Sequence, residues 1–300
     1  MHTNKDAEDF KILVSKNINS DQWEDFISAK DETLIGSLVF LNNWIIRTEL
    51  TNALDKVFIR NIITNEEEEL IFTDEKVYDP SVSLRQKDRD TDEIYISYST
   101  PKTQNRTYLY NIKTKEKKLV KEQIIPSGHE PNDYIVERLE CPSHDGRVVP
   151  ITITRHKNTP IDGSAELLLY GYGSYGHSMS PTFSSTRLSL IKRNIIWATA
   201  HIRGGMERGM KWWKEGKLLN KKNTFKDYIA CAKFLIEKKY TSKKKIIGMG
   251  GSAGGLLMGV VVNEEPDLFL GVIMAVPFVD SLTTNLDHSL PLTIGEFDEF

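Results

Sequence analysis

With 300 residues the chain is long enough for one large core or two. Hydrophobic side chains make up 39% and charged ones 27%, and the mean hydropathy is −0.37, which excludes disordered and fibrous classes and describes a globular chain. The formal net charge of −3, with no apolar run near ~18 residues, argues against nucleic acid and membrane as partners. The basic runs at 113–118 and 243–245 are short or broken by acids and read as solvated faces. The opening MHTNKDAEDF lacks the basic-then-apolar order of a signal peptide. Cys141 and Cys231 read as small buried apolar groups rather than as a disulfide or metal ligands, and the expected compartment is the cytoplasm.

Residues 1–130 alternate short apolar runs with polar turns. Period-two spacing and β-branched or aromatic content predict strands at 34–39, 44–48, 56–60, 93–98 and 107–110. The runs repeat: 44–47 recurs about 50 residues later at 94–97, and 57–60 at 108–111. Several strands per unit at that period predict propeller blades. A closed propeller needs ~4–8 blades, and two or so are visible, so this half does not close a ring by itself.

Near residue 130 the pattern changes. Residues 134–139 and 148–153 flank Asp145-Gly146, a hairpin signal. Strand-like runs follow at 167–170 and 195–200. Residues 224–227 resemble a capping box with Asp227 in the place of Glu or Gln, ahead of apolar positions 225, 228, 229, 232, 235 and 236 at helical spacing. A strand at 245–249, a nearly all-apolar helix at 253–262 and a strand at 271–276 complete the series. Strands alternating with helices predict a parallel sheet covered on both faces. The expected division is therefore an incomplete β-propeller over 1–130 and an α/β domain over 131–300.

Gly250-Gly251-Ser252-Ala253-Gly254 fits G-x-S-x-G, with a strand before and a helix after the serine. Small residues let the chain turn sharply there, expose the hydroxyl and leave the Ala253 N–H free for an oxyanion. The plain alternative is a glycine-rich turn that happens to hold a serine. A rival site is Gly171-Tyr172-Gly173-Ser174-Tyr175-Gly176, which fits the G-x-G-x-x-G of a dinucleotide-dependent oxidoreductase. That fingerprint needs a helix opening at its last glycine, yet 177–182 contains Pro181 and no apolar periodicity. It also expects an acid after the next strand, where this chain has Arg203.

The ordered segments LLYGYGSYG (168–176), HIRGGMERG (201–209), KKNTFKDY (221–228), GGSAGG (250–255), PDLF (266–269) and PLTIGEFDEF (291–300) carry a resemblance. They resemble the oligopeptidase B (protease II) branch of the prolyl oligopeptidase family of serine peptidases, which cuts after basic residues. The resemblance implies a β-propeller over an α/β-hydrolase domain and basic oligopeptides as substrates, with no metal or organic cofactor. It implies Ser252 as nucleophile, Ala253 N–H and the Tyr172 hydroxyl as oxyanion donors, and Glu296 with Asp298 as the pair binding the basic side chain. Asp298 stands where glutamate is usual, a difference that bears on the reach for lysine versus arginine; Ser180 and Thr182 stand where some members carry acids, which weakens the case for a preference for a second basic residue.

In that family the triad Asp and His follow the serine and align beyond residue 300. The expectation is a chain resembling an internal fragment and inactive alone: a remnant, or a half-enzyme needing a complementing chain with the missing Asp and His. His288, with Asp280 and Asp287, is the internal substitute considered. These three precede GEFDEF, where the family has no catalytic group. His201 is expected to pack structurally or to anchor a loop.

Overall fold

The computed structural model describes residues 1–300 apart from Ile18, Ser20, Gln86, Asp88 and Leu292. Two compact units are present. One comprises residues 1–124 with the short stretches 180–183 and 207–211; the other comprises 125–179, 184–206 and 212–300.

The first unit is built of antiparallel strands in three sheets. Strands β1 (His2–Thr3), β2 (Lys11–Val14) and β3 (Glu24–Ile27) form one; β4 (Thr33–Phe40), β5 (Trp44–Thr51), β6 (Leu54–Asn61) and β7 (Glu67–Glu69) form the second. The third runs β11-β10-β9-β8, from β8 (Asp79–Leu84), β9 (Glu93–Ser99), β10 (Arg106–Asn111) and β11 (Lys117–Glu122). The 50-residue repeat has a plain structural meaning: β5 and β9 are both second strands of four-stranded sheets, and β6 and β10 both third. Ile46, Val57, Ile59, Ile94 and Ile96 alternate along these inner strands into one buried cluster. Strand β8 carries Pro80 and lies at a sheet edge, where proline is tolerated.

The second unit holds β12 (Tyr134–Pro142), β13 (Val148–His156), β14 (Leu167–Tyr170), β15 (Ile196–Ala200), β16 (Ile246–Gly251) and β17 (Phe269–Ala275). Its helices are α1 (Ser185–Ile191), α3 (Lys222–Glu237), α4 (Ala253–Glu264), α5 (Ser281–Leu286) and α6 (Thr293–Glu296), while α2 (Gly209–Lys214) begins in the 207–211 stretch. The six strands form one sheet in the order β12-β13-β15-β14-β16-β17. It is mixed rather than wholly parallel: β12, β13 and β15 pair antiparallel, and only β15-β14-β16-β17 is parallel. The hairpin at Asp145-Gly146 forces this, since so short a loop joins antiparallel neighbours only.

Leu167, Leu169, Ile196, Ala198, Tyr228, Leu257 and Val261 pack the sheet against its helices. Cover is incomplete at the last strand, where Leu270 and Ile273 of β17 are exposed. Cys141 and Cys231 are free thiols buried in the same core. Among the described residues no helix is long and apolar enough to cross a membrane.

The capping box expected at 224–227 is not formed. Helix α3 begins two residues earlier, so Thr224 lies inside it and donates its hydroxyl to the carbonyls of Arg203 (2.8 Å) and Gly216 (3.1 Å). Asp227 turns away from the helix start and accepts from Arg203 instead. Tertiary partners outcompete the local cap.

Candidate active site

Ser252 links β16 to α4 with φ 55° and ψ −119°, a strained conformation for a residue with a side chain, costing on the order of 1–3 kcal/mol. Three backbone bonds of 2.9 Å hold it there. Its N–H donates to Ala275 O, and its carbonyl accepts from Gly255 and Phe278 N–H. Gly250 makes the turn possible, because a Cβ on it would lie 2.2 Å from the carbonyl oxygen of Gly254. The serine is exposed, while Ala253 behind it is buried. As the first residue of α4, Ala253 presents one of the N–H groups that lack an intrahelical acceptor.

Beside this turn, β14 runs into the loop 171–176. Gly171 N–H donates to Met249 O at 3.1 Å, extending the β14–β16 pairing and keeping the loop against the serine turn. Tyr172 is half-buried and its hydroxyl interacts with the Ser252 side chain; burial raises its pKa above the usual phenol value, so it stays protonated. The loop is shaped from behind by the 203–205 segment. Gly204 has φ 101°, and a Cβ on it would lie 1.9 Å from the carbonyl oxygen of Gly173.

Arg203, 1% exposed, fixes that segment by donating to Asp227 (2.8 and 2.6 Å) and Asp145 (2.6 Å). Burial alone would lower the guanidinium pKa, but the two carboxylates hold it above its ordinary value. The HIRGG stretch thus serves as scaffold for the Tyr172 loop.

The segment 296–300 reaches the same loop. Glu296 accepts the Tyr175 hydroxyl at 2.7 Å, and burial together with this carboxylate pushes the phenol pKa well up. Rings bridge the space back to the serine turn: Tyr172 to Tyr175 at 6.2 Å, Tyr175 to Phe300 at 5.9 Å and Phe300 to Phe278 at 5.5 Å. Asp298 is exposed and makes no hydrogen bond or ion pair with the described residues.

Two residues to which the sequence reading gave no role sit at the centre of this arrangement. Glu299 is 2% exposed and accepts from Trp213 Nε1 (2.8 Å) and Lys221 Nζ (3.1 Å). Lys221 is buried, which pulls its pKa down against the opposing pull of Glu299. The pair is 78 residues apart in the chain, beyond the reach of any local pattern.

The histidines take no part at Ser252. His201 is buried, with Nε2 2.8 Å from Thr152 Oγ1, and burial drives its pKa far below the usual value. His288 is exposed. Asp280 caps α5 through Thr283 N–H at 3.0 Å, and Asp287 accepts from Ser289 N–H at 2.9 Å and its hydroxyl at 2.6 Å. Both are local turn partners. Among the described residues no histidine is hydrogen-bonded to Ser252, and no group of three or more His, Cys, Asp or Glu could hold a metal. The dinucleotide reading loses its physical basis, since eight non-helical residues separate Gly176 from α1 and no helix N-terminus faces a pyrophosphate.

A family model described as "Prolyl oligopeptidase family" matches residues 181–300, and one described as "Prolyl oligopeptidase, N-terminal beta-propeller domain" matches residues 1–123. Dipeptidyl aminopeptidase BI of Pseudoxanthomonas mexicana is 38% identical over 304 residues, covering 100% of this chain and 42% of the relative. Protease 2 of Moraxella lacunata is 35% identical over 298 residues, with 99% and 43% covered. Among solved structures, oligopeptidase B from Trypanosoma brucei with covalently bound antipain superposes with a TM-score of 0.91 at 35% identity, covering 100% of this chain and 43% of that one. The chain spans about two fifths of the length of these relatives. It joins part of a β-propeller to part of an α/β-hydrolase, and it belongs to the prolyl oligopeptidase family of serine peptidases.

Proposed function

We propose that the chain carries the nucleophile, the oxyanion hole and the basic-residue pocket of an oligopeptidase that cleaves after Lys or Arg. The propeller portion is assigned to residues 1–130 and the catalytic portion to 131–300. One observation carries the reading: an exposed serine at a strained strand-to-helix turn, with the Tyr172 loop beside it and Glu296 tied to the same loop through Tyr175.

In the reaction, Ser252 Oγ attacks the scissile carbonyl and loses its proton to a base. The carbonyl oxygen becomes an oxyanion, held by Ala253 N–H and the Tyr172 hydroxyl. Its collapse expels the amine and leaves an acyl-enzyme, which water then hydrolyses. Tyr172 suits this task because a neutral donor stabilises an oxyanion without itself ionising. Glu296 and Asp298 hold the guanidinium or ammonium of the residue before the cut through charge-assisted bonds.

The scheme asks for no metal or organic cofactor. The His that takes the Ser252 proton, and the Asp that orients it, come from further polypeptide, so the 300 residues by themselves are inert. The substrates are basic oligopeptides and the setting cytoplasmic, in keeping with two free, buried thiols.

Calorimetric titration with benzamidine and its neutral counterpart benzamide tests the pocket without requiring turnover. Benzamidine is expected to bind and benzamide not, and Glu296→Gln should weaken benzamidine about tenfold or more. Equal binding of both, or an unchanged affinity in Glu296→Gln, would remove the basic pocket from the account.

A further inference from the structure

Lys221 precedes α3 and is 9% exposed. An ammonium has three N–H donors and no acceptor. All three have partners: Gly173 O at 2.8 Å, Ser174 Oγ, and Glu299 Oε1 at 3.1 Å. The Phe300 ring lies 4.8 Å from Nζ. Glu299 is equally committed, since its second carboxylate oxygen accepts from Trp213 and its backbone carbonyl accepts from Leu218 N–H at 2.8 Å. Ser174 is wholly buried. Neutralising Glu299 would require only one of the three N–H groups. The other two grip a backbone carbonyl and a hydroxyl of a loop far away in sequence.

The neighbours of the gripped residues give the junction its meaning. Tyr172 stands one residue before Gly173. Tyr175 stands one residue after Ser174 and holds Glu296. Glu296 and Asp298 stand just before Glu299, whose N–H donates to Glu296 O at 3.0 Å. A buried ion pair is weak evidence for added stability, and its best-attested use is to fix register.

Building on the function proposed above, we infer that Lys221 is a positioning residue: with Glu299 it locks the Tyr172 loop to the carboxylate segment 296–298. Seating of a basic side chain and alignment of the oxyanion donor then happen together. The charge of Lys221 gives the idea a test of sign. Lys221 and Glu296 interact electrostatically, so a cation at position 221 works against a second cation arriving at Glu296. Charge alone predicts that Lys221→Met tightens benzamidine binding. Positioning predicts that it weakens.

The experiment is hydrogen exchange by mass spectrometry on the unliganded full chain, Glu299→Gln and Lys221→Met, joined to benzamidine titration of each. Gln keeps the shape at 299 but cannot accept from both Trp213 and Lys221. In Glu299→Gln, amides of 171–177 should exchange at least tenfold faster while α4 keeps its parent rate. Lys221→Met should bind benzamidine about tenfold more weakly. Unchanged exchange over 171–177, a uniform acceleration that includes α4, or tighter benzamidine binding by Lys221→Met would each overturn the inference. If Lys221→Met fails to fold, the exchange pattern of Glu299→Gln decides. If the parent chain binds no benzamidine, the basic pocket falls while the exchange pattern still judges the lock.

Discussion

The serine turn and the 296–300 segment face the same loop but are held by opposite means. Backbone sterics make the first: Gly250 leaves room for the Gly254 carbonyl, and three main-chain bonds pin a strained Ser252. Side-chain charge holds the second, through Lys221, Glu299 and the Tyr175–Glu296 bond. A site held by sterics fails when an atom is added, and a site held by charge fails when a partner is removed. The first kind tolerates changes of pH and salt that the second feels.

Adding one methyl group to the turn should have the largest effect. In Gly250→Ala the new Cβ must displace the first turn of α4, and a loss of about 3 kcal/mol or more in denaturant unfolding is expected, together with every Ser252-dependent reaction. Parent stability in Gly250→Ala would show that the turn has slack and break the comparison.

Tyr172→Phe separates chemistry from architecture on the loop between the two regions. It deletes the hydroxyl that interacts with Ser252 and keeps the ring near Tyr175. Stability should change little, while any acyl transfer at Ser252 should slow about 10²–10³-fold, the usual effect of losing one oxyanion donor. Rates of reaction at Ser252 with free imidazole supplied as the base, measured beside a thermal melt of the same sample, check both halves.

A third region shows a half-buried carboxyl group with no lock around it. In the propeller portion Asp55 is pushed up to about 6, first by burial and then by the nearby Asp79 carboxylate. The folded state therefore keeps a proton that the unfolded chain releases near 3.8, so stability is fully present below that pH and is lost as pH rises through about 6. Asp55→Asn should remove this slope and raise stability at neutral pH by on the order of 1–3 kcal/mol. Denaturant midpoints of both proteins at pH 4 and pH 7 measure it. The paired Glu299 has Lys221 to offset its burial; Asp55 has a like charge instead.

Tyr175→Phe is the mildest change. Glu296 loses its donor but keeps its place beside the locked Glu299, and benzamidine affinity should fall by less than tenfold. A larger loss would mean that the tyrosine, rather than the Lys221 junction, sets the carboxylate.

These contrasts also explain what could be read in the sequence. Ser252 was legible because its steric demand is local: the glycines must stand within two residues of it. The inner strands β5, β6, β9 and β10 were legible through period-two burial repeated about 50 residues on. The strands β1 to β3 escaped notice because they run only two to four residues, too short to show alternation. The capping box failed because Thr224 and Asp227 had better partners in Arg203 and Gly216, reached only by folding. Glu296 and Asp298 came from the family resemblance alone, as an acidic stretch in a sequence looks like any exposed one. Lys221 and Glu299 were hidden for a different reason, since a partnership across 78 residues leaves no local mark.

The central claim is that Ser252 is a built nucleophile whose base lies outside these residues. Fluorophosphonate labelling followed by intact mass tests it, with and without free imidazole as a diffusible base. Ser252→Ala serves as control and circular dichroism verifies folding. The account predicts no adduct without imidazole and a single Ser252 adduct that grows with imidazole and is absent from Ser252→Ala. An adduct formed without imidazole would mean that a base is already in place, and none at any imidazole concentration in the folded protein would mean that Ser252 is not a nucleophile.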